Sequence, residues 1–169
     1  GQSGIRILEI GSFEGRSAVW FLENVLTHPS AEITCLDIFA DYPLPGYGTA
    51  SDGYELRFDH NIRVSGHGHK VTKLKGASHD LLPGLPRAGY DIIYIDGAHD
   101  TKSVLLDTML SWPLLKPGGL LVFDDYLYTP KLPPVQRPQM AIDLFLDFVA
   151  GQYELLHKGY QVALRRSGS

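Results

Sequence analysis

The sequence predicts a doubly wound α/β domain: a mostly parallel sheet with helices on both faces, closed by an antiparallel hairpin. Three observations predict it. Short apolar runs alternate with helical stripes along the chain, as repeated βα units do. Two of those runs, Tyr90-Asp91-Ile92-Ile93-Tyr94-Ile95 and Gly119-Leu120-Leu121-Val122-Phe123, end abruptly in acid, at Asp96 and at Asp124-Asp125. Near the end, residues 153–157 and 160–164 flank Lys158-Gly159 as the arms of a hairpin do. Buried parallel strands need no charge, so acids at their carboxyl ends stand where such sheets bind ligands.

The elements follow in order. Residues 5–10 form a short apolar strand closed by Gly11. From Ser17, the positions Ala18, Phe21, Leu22, Val25 and Leu26 share one helical stripe, with His28-Pro29 as its stop. Residues 32–37 give the second strand. A third, residues 70–75, is more polar and belongs at a sheet edge. Residues 90–95 and 119–123 are the fourth and fifth. Between them Leu105, Thr108, Met109 and Trp112 mark a helix with Asp100 as N-cap. Ala141, Leu144, Phe145 and Phe148 mark another, ended by Gly151. Right-handed crossovers then place helices on both faces.

Two segments fit no element: residues 41–53, with Pro43, Pro45, Gly46 and Gly48, and residues 126–138, with four prolines. Loops of that length in a compact domain are functional lids or disordered. Tyr42, Tyr47, Tyr54 and Phe58 are candidate lid residues. Tyr126 and Tyr128, directly after the acid pair, are better placed to touch a substrate.

Composition excludes several classes. The 169 residues suit one domain over residues 5–166, with residues 1–4 and 167–169 reading as linker and tail. The 44% hydrophobic and 20% charged fractions are those of a globular protein, and the formal charge of −4 without a basic block argues against nucleic acid. No apolar run approaches the ~20 residues of a membrane span, and no signal-like segment is seen, so a cytoplasmic protein is expected. The single cysteine, Cys35, lies in a strand and reads as a packed thiol. Ser65-Gly66-His67-Gly68-His69 looks like a metal tract but lacks further ligands nearby, so it reads as a loop. Oligomeric state is not legible, and a homo-oligomer is compatible with the sequence.

The first strand meets its helix through Glu9-Ile10-Gly11-Ser12-Phe13-Glu14-Gly15-Arg16-Ser17. Gly11 permits a tight turn, Gly15 permits a ligand to approach the backbone, and the helix start offers N–H groups and the Ser17 hydroxyl to an anion. The Gly-x-x-x-Gly spacing is not that of a dinucleotide site, and the lysine of a P-loop is absent. Asp37 closes the second strand 26 residues after Gly11, where a carboxylate can accept both hydroxyls of a ribose.

On these motifs, together with Lys75-Gly76-Ala77-Ser78 and the two acidic strand ends, the chain resembles the class I S-adenosylmethionine-dependent methyltransferases. The resemblance runs from Ile5 to Arg165 and is nearest to the metal-dependent O-methyltransferases of catechols, caffeoyl-CoA, macrolides and sugars. It implies a Rossmann-like sheet of seven strands with the last antiparallel, in agreement with the hairpin. It also implies that Gly11, Ser12 and Gly15 lie against the methionine portion of the cofactor, with Ser17 at its carboxylate. Asp37 would hold the ribose, Ile38 would lie beside the adenine, and Ala77, Ser78 and His79 would line the adenine pocket. Glu9 would orient the methionine amino group, or else is a surface acid at a strand end. Ser78 has a second reading, as N-cap of a short turn.

The resemblance further implies that Asp96, Asp124 and Asp125 bind a divalent cation. Oxygen-only ligands suit Mg²⁺, and three neighbouring carboxylates repel unless neutralised. Asp96 would also wall the cofactor pocket, and His99 stands where the family often places its general base. The lysine of catechol-type enzymes at that place is absent, which leaves the base open. The leading expectation is methyl transfer to a small-molecule hydroxyl. A cofactor-binding domain without turnover or metal, and a nicotinamide-dependent oxidoreductase, are the alternatives.

Overall fold

The computed structural model describes residues 4–40 and 53–168. One sheet holds β1 (Arg6–Ile10), β2 (Glu32–Asp37), β3 (Val71–Lys75), β4 (Tyr90–Ile95), β5 (Leu115–Phe123), β6 (Tyr153–Lys158) and β7 (Val162–Arg166), in the order β3-β2-β1-β4-β5-β7-β6. Strands β1 to β5 are parallel, and β7 runs antiparallel to both β5 and β6. The expected sheet is therefore observed, with the polar third strand at an edge. Its order reverses between β1 and β4, the switch point at which open α/β sheets bind ligands beyond their carboxyl ends.

Alternation along the strands builds two cores. Ile7, Ile33 and Cys35 face α1 (Arg16–Asn24) and α2 (Tyr54–Val64), meeting Phe21, Leu22 and Phe58. Leu8, Ile10, Ile93, Ile95, Leu121 and Phe123 face the other way, toward Val104 of α4 (Thr101–Ser111) and Phe145 of α5 (Pro138–Phe148). Each such side chain, buried, contributes about 1.5–3 kcal/mol. A one-turn helix, α3 (Ser78–Leu81), follows β3. At the opposite rim Asp91 accepts the Arg6 N–H and the Lys116 ammonium, so that acid inside an apolar run serves structure.

Several elements differ from the sequence reading. Helix α1 ends at Asn24, before the His28-Pro29 stop, where the N–H groups of Val25 and Leu26 both turn to Phe21 O; beyond that end a buried lysine ties the chain, Lys70 Nζ donating to Leu26 O at 2.5 Å and to His28 O at 2.9 Å. Lys70→Met should remove both charge-assisted bonds and cost about 2–3 kcal/mol. That corresponds to a fall of roughly 4–12 °C in the thermal midpoint, measurable by calorimetry.

Helix α2 was not read at all. Its buried stripe is one residue wide (Tyr54, Phe58, Ile62), and its other positions are mostly polar. Tyr54 and Phe58 are thus core residues and not part of a lid. Tyr42, Tyr47 and the rest of the expected lid, residues 41–52, lie outside the described residues.

On α4 the buried face is Val104, Asp107, Thr108 and Ser111, and Met109 is exposed; three polar residues on that face hide it from a hydrophobicity reading. On α5, Ala141 and Phe145 are buried as expected. Leu144 and Phe148 are exposed, and Ile142, Leu146 and Val149 take their places in the core. The loop after β5 is tied down: Thr101 Oγ1 donates to Pro134 O and Arg137 O. Tyr126 is buried, with its hydroxyl donating to Asp143 at 3.0 Å, so its side chain is committed to the packing against α5. Ser65 and Gly66 form a turn, Gly68–Lys70 a single 3₁₀ turn before β3, and no metal-binding group involves this stretch among the described residues.

Candidate active site

The carboxyl ends of β1, β2, β4 and β5 share one rim, and each contributes acid. At β1, Gly11 has φ +89°, and a Cβ there would stand 2.2 Å from the carbonyl oxygen of Asp96. Only glycine lets the loop lie on the end of β4. Gly15 is also left-handed, at φ +80°, yet the space a Cβ would fill belongs to the Phe58 ring, 2.9 Å away. Its role is packing against α2; the expected approach of a ligand is not what requires glycine there.

Glu9 lies under this loop, wholly buried. Ser17 Oγ donates to Glu9 Oε1 at 2.5 Å, while Glu9 Oε2 and Ser12 Oγ are buried with no partner among the described residues. Burial pushes the Glu9 carboxyl above its usual range; the nearby Ser12, Ser17 and Cys35 groups offset part of that. Ser12 stands close without hydrogen-bond geometry. The surface-acid reading of Glu9 is excluded. Because the Ser17 proton is given to Glu9, that hydroxyl has only lone pairs left and cannot also donate to a carboxylate. Cys35, under Glu9, is a buried thiol raised well above its usual pKa by desolvation and by Glu9, which makes it an inert packing residue.

Asp37 organises the next strand end. Its Oδ2 accepts the N–H groups of Ser12 and Phe13, each at 2.9 Å. Its Oδ1 accepts Phe39 N–H at 2.9 Å and the Tyr54 hydroxyl at 3.3 Å, a hydroxyl that also donates to Ala40 O at 2.8 Å. Ile38 beside it is 51% exposed. Gly76 N–H donates to Asp37 O, which ties the turn carrying Ala77, Ser78 and His79 to the same rim. The N-cap of α3 is Ala77 and makes no side-chain cap, so the capping role read for Ser78 is not found. Its hydroxyl instead reaches Asp107 on α4. The His79 side chain is turned to solvent beside Asp80.

Asp96, Asp124 and Asp125 each bring a carboxylate oxygen within 4.8 Å of the others. Burial, and then the charges of Asp124 and Asp125, push the Asp96 carboxyl up to about 8. Tyr94 stands beside them, its phenol raised by burial and by Asp96 and Asp124. His99 Nδ1 lies 3.2 Å from Asp125 Oδ2, with its ring 4.6 Å from that of Tyr128. Asp100 caps α4 as expected, accepting Ser103 N–H.

Two residues at this cluster were not read from the sequence. Tyr160 donates to Asp125 Oδ1 at 2.9 Å, and the Gln161 amide donates to Asp124 Oδ1. The signal was available: pairing Phe123 with Val162 in an antiparallel register carries the hairpin tip to the residues after β5.

Comparison with known proteins decides the family. A model of the methyltransferase domain matches residues 8–126, from β1 through the acid pair. The chain belongs to this methyltransferase family. It is 30% identical over 155 residues to the uncharacterized protein R132 of Acanthamoeba polyphaga mimivirus, covering 86% of this chain and 62% of that protein. It is 29% identical over 123 residues to the O-methyltransferase hkm8 of Aspergillus hancockii, covering 73% of this chain and 43% of that one. The chain thus spans less than two thirds of the length of these relatives. In fold it matches the O-methyltransferase TomG of Streptomyces achromogenes, solved with S-adenosylmethionine, at a TM-score of 0.70 and 19% identity over 97% of this chain and 73% of that one. Among the described residues no helix is long and apolar enough to cross a membrane.

Proposed function

We propose that this methyltransferase domain transfers a methyl group from S-adenosylmethionine to a hydroxyl of a small molecule, with a divalent cation at Asp96, Asp124 and Asp125. The observation that carries it is Glu9, a buried carboxylate with one unpartnered oxygen beneath the glycine loop, on the same rim as the three-carboxylate cluster. A buried carboxyl with an unpartnered oxygen is stabilised in its charged form by a cation, and the ammonium of a methionine moiety is one.

The chain's own residues supply positioning. Glu9 would take the ammonium, and the first N–H groups of α1 face the carboxylate in place of the Ser17 hydroxyl. Asp37 would take the ribose. All four of its lone-pair positions are filled, and the 3.3 Å contact from Tyr54 is the one to yield, because that hydroxyl keeps its bond to Ala40. Ile38, Ala77, Ser78 and His79 would border the base. S-adenosylmethionine brings an electrophilic methyl group, and a cation held by the three aspartates would lower the pKa of the acceptor hydroxyl. His99, oriented through Nδ1 by Asp125, would take the hydroxyl proton at Nε2. Tyr128 and Tyr160 border that place. Asp96 stands between donor and acceptor, so small displacements there change the in-line geometry on which the rate depends.

Calorimetry with S-adenosylhomocysteine and with NAD tests the cofactor: binding is expected for the first alone, and the reverse result discards the reading. Chelation by EDTA should abolish methyl transfer, and Asp124→Ala should do the same while leaving S-adenosylhomocysteine affinity within about threefold, since Asp124 lies outside the cofactor residues. Activity that survives full chelation would remove the cation from the mechanism.

A further inference from the structure

Asp107 is a buried carboxylate to which the reading above gives no task. It is 5% exposed on the sheet-facing side of α4, where packing favours an apolar residue. Ser78 Oγ donates to Asp107 Oδ1 at 2.5 Å. Asp107 Oδ2 lies beside Gly97, 3.4 Å from where a Cβ would stand. Burial raises the Asp107 carboxyl, and the Ser78 hydroxyl and His79 pull it back.

Contacts link these residues along one stretch of the rim. The turn bearing Ser78 is tied to Asp37 through Gly76, Ile38 offers an exposed apolar face, and Gly97 and Ala98 add no bulk after β4. A planar base attached to a ribose at Asp37 would stack on Ile38 and present an edge to Ser78. A serine hydroxyl has one proton and two lone pairs. A carboxylate holds that proton more strongly than a neutral acceptor would. With its proton committed to Asp107, Ser78 Oγ offers lone pairs only.

We infer that Asp107 is a positioning residue that fixes the Ser78 hydroxyl as a pure acceptor, so that this stretch of the rim selects a base carrying an exocyclic amino group over its 6-oxo counterpart. The inference rests on the reading that this rim holds S-adenosylmethionine. It adds how the base is discriminated and which residue, through Ser78, enforces it.

The test is calorimetric binding of S-adenosyl-L-homocysteine and S-inosyl-L-homocysteine, read as the ratio of the two affinities. Wild type should prefer the amino compound at least about tenfold, the scale of one unpaired buried polar group. In Asp107→Leu the freed hydroxyl can rotate to donate, and the preference should shrink to within about threefold. Asp107→Asn keeps an oxygen that accepts from Ser78 and should retain the preference, whereas Ser78→Ala should lose it. Contributions from backbone groups are common to all four proteins and cancel in the comparison. A wild-type ratio preserved in Asp107→Leu or in Ser78→Ala overturns the inference while leaving the cofactor reading intact. Wild type that binds neither compound overturns both. Should Asp107→Leu fail to fold, Ser78→Ala and Asp107→Asn decide the matter by the same ratio.

Discussion

Asp37→Asn is expected to lower affinity for S-adenosylhomocysteine by roughly 100-fold and to destabilise the protein by about 3 kcal/mol, a double effect that few single substitutions at this rim would share. The carboxylate accepts from Ser12 and Phe13 on one oxygen and from Phe39 and Tyr54 on the other. An asparagine keeps one acceptor and turns an NH₂ group toward the second set of donors. Whichever way the amide faces, at least one backbone N–H meets another donor. The glycine loop, which those N–H groups hold against β2, is loosened even without ligand. The second loss appears only with ligand, because a ribose hydroxyl then meets a neutral acceptor in place of a charged one. Calorimetry reads the first effect as a thermal midpoint lowered by roughly 6–12 °C, and a binding titration reads the second. Unchanged affinity would show that the ribose is held elsewhere. Unchanged stability would show that the loop does not depend on this tether.

That double duty shows what the sequence could disclose. Asp37 stood out in the sequence because it closes an apolar strand 26 residues after Gly11 of the glycine loop. Its four protein donors did not, because three come from loop backbone and one from Tyr54 on a helix with a one-residue stripe. The acid-tipped strands were legible for the same reason as Asp37: charge at the end of a buried run stands out against it. Asp107 was invisible because it sits in the middle of a helix, where an acid reads as solvated surface and only tertiary packing shows it buried. Ser17 illustrates a different limit. Its position at the start of α1 was read correctly, yet the direction of its single proton is set by Glu9, which reaches it across the loop. The packing that excludes a side chain at Gly15 was not legible, since the neighbour in space is Phe58, 43 residues further on.

In the metal-free protein, cation affinity at the aspartate cluster should rise about 50-fold between pH 6 and pH 8. The Asp96 carboxyl is pushed up to about 8 by burial and by Asp124 and Asp125, so below that pH it holds a proton that a cation must displace. One proton released per cation bound means about tenfold in apparent affinity per pH unit, levelling off above pH 8. The same shift acts on folding with a definite sign. An acid whose folded pKa is raised binds its proton in the folded state when the unfolded chain has already lost it. Its stabilising contribution is full below about 4, near the ordinary value of 3.8, and is lost as pH rises toward 8. The thermal midpoint of the metal-free protein should therefore lose this contribution across that window, and a saturating divalent cation should restore stability at the upper end. Asp96→Asn should flatten both dependences. In Asp124→Asn a neighbouring negative charge is gone and Asp96 titrates lower, so the melting curve should still begin its descent at about 4 but finish it at lower pH. Calorimetry in two buffers of different ionisation enthalpy counts the proton directly. A count of zero at pH 6.5 would mean that the three carboxylates share their charge without a proton, and the pH dependence of cation affinity would vanish with it.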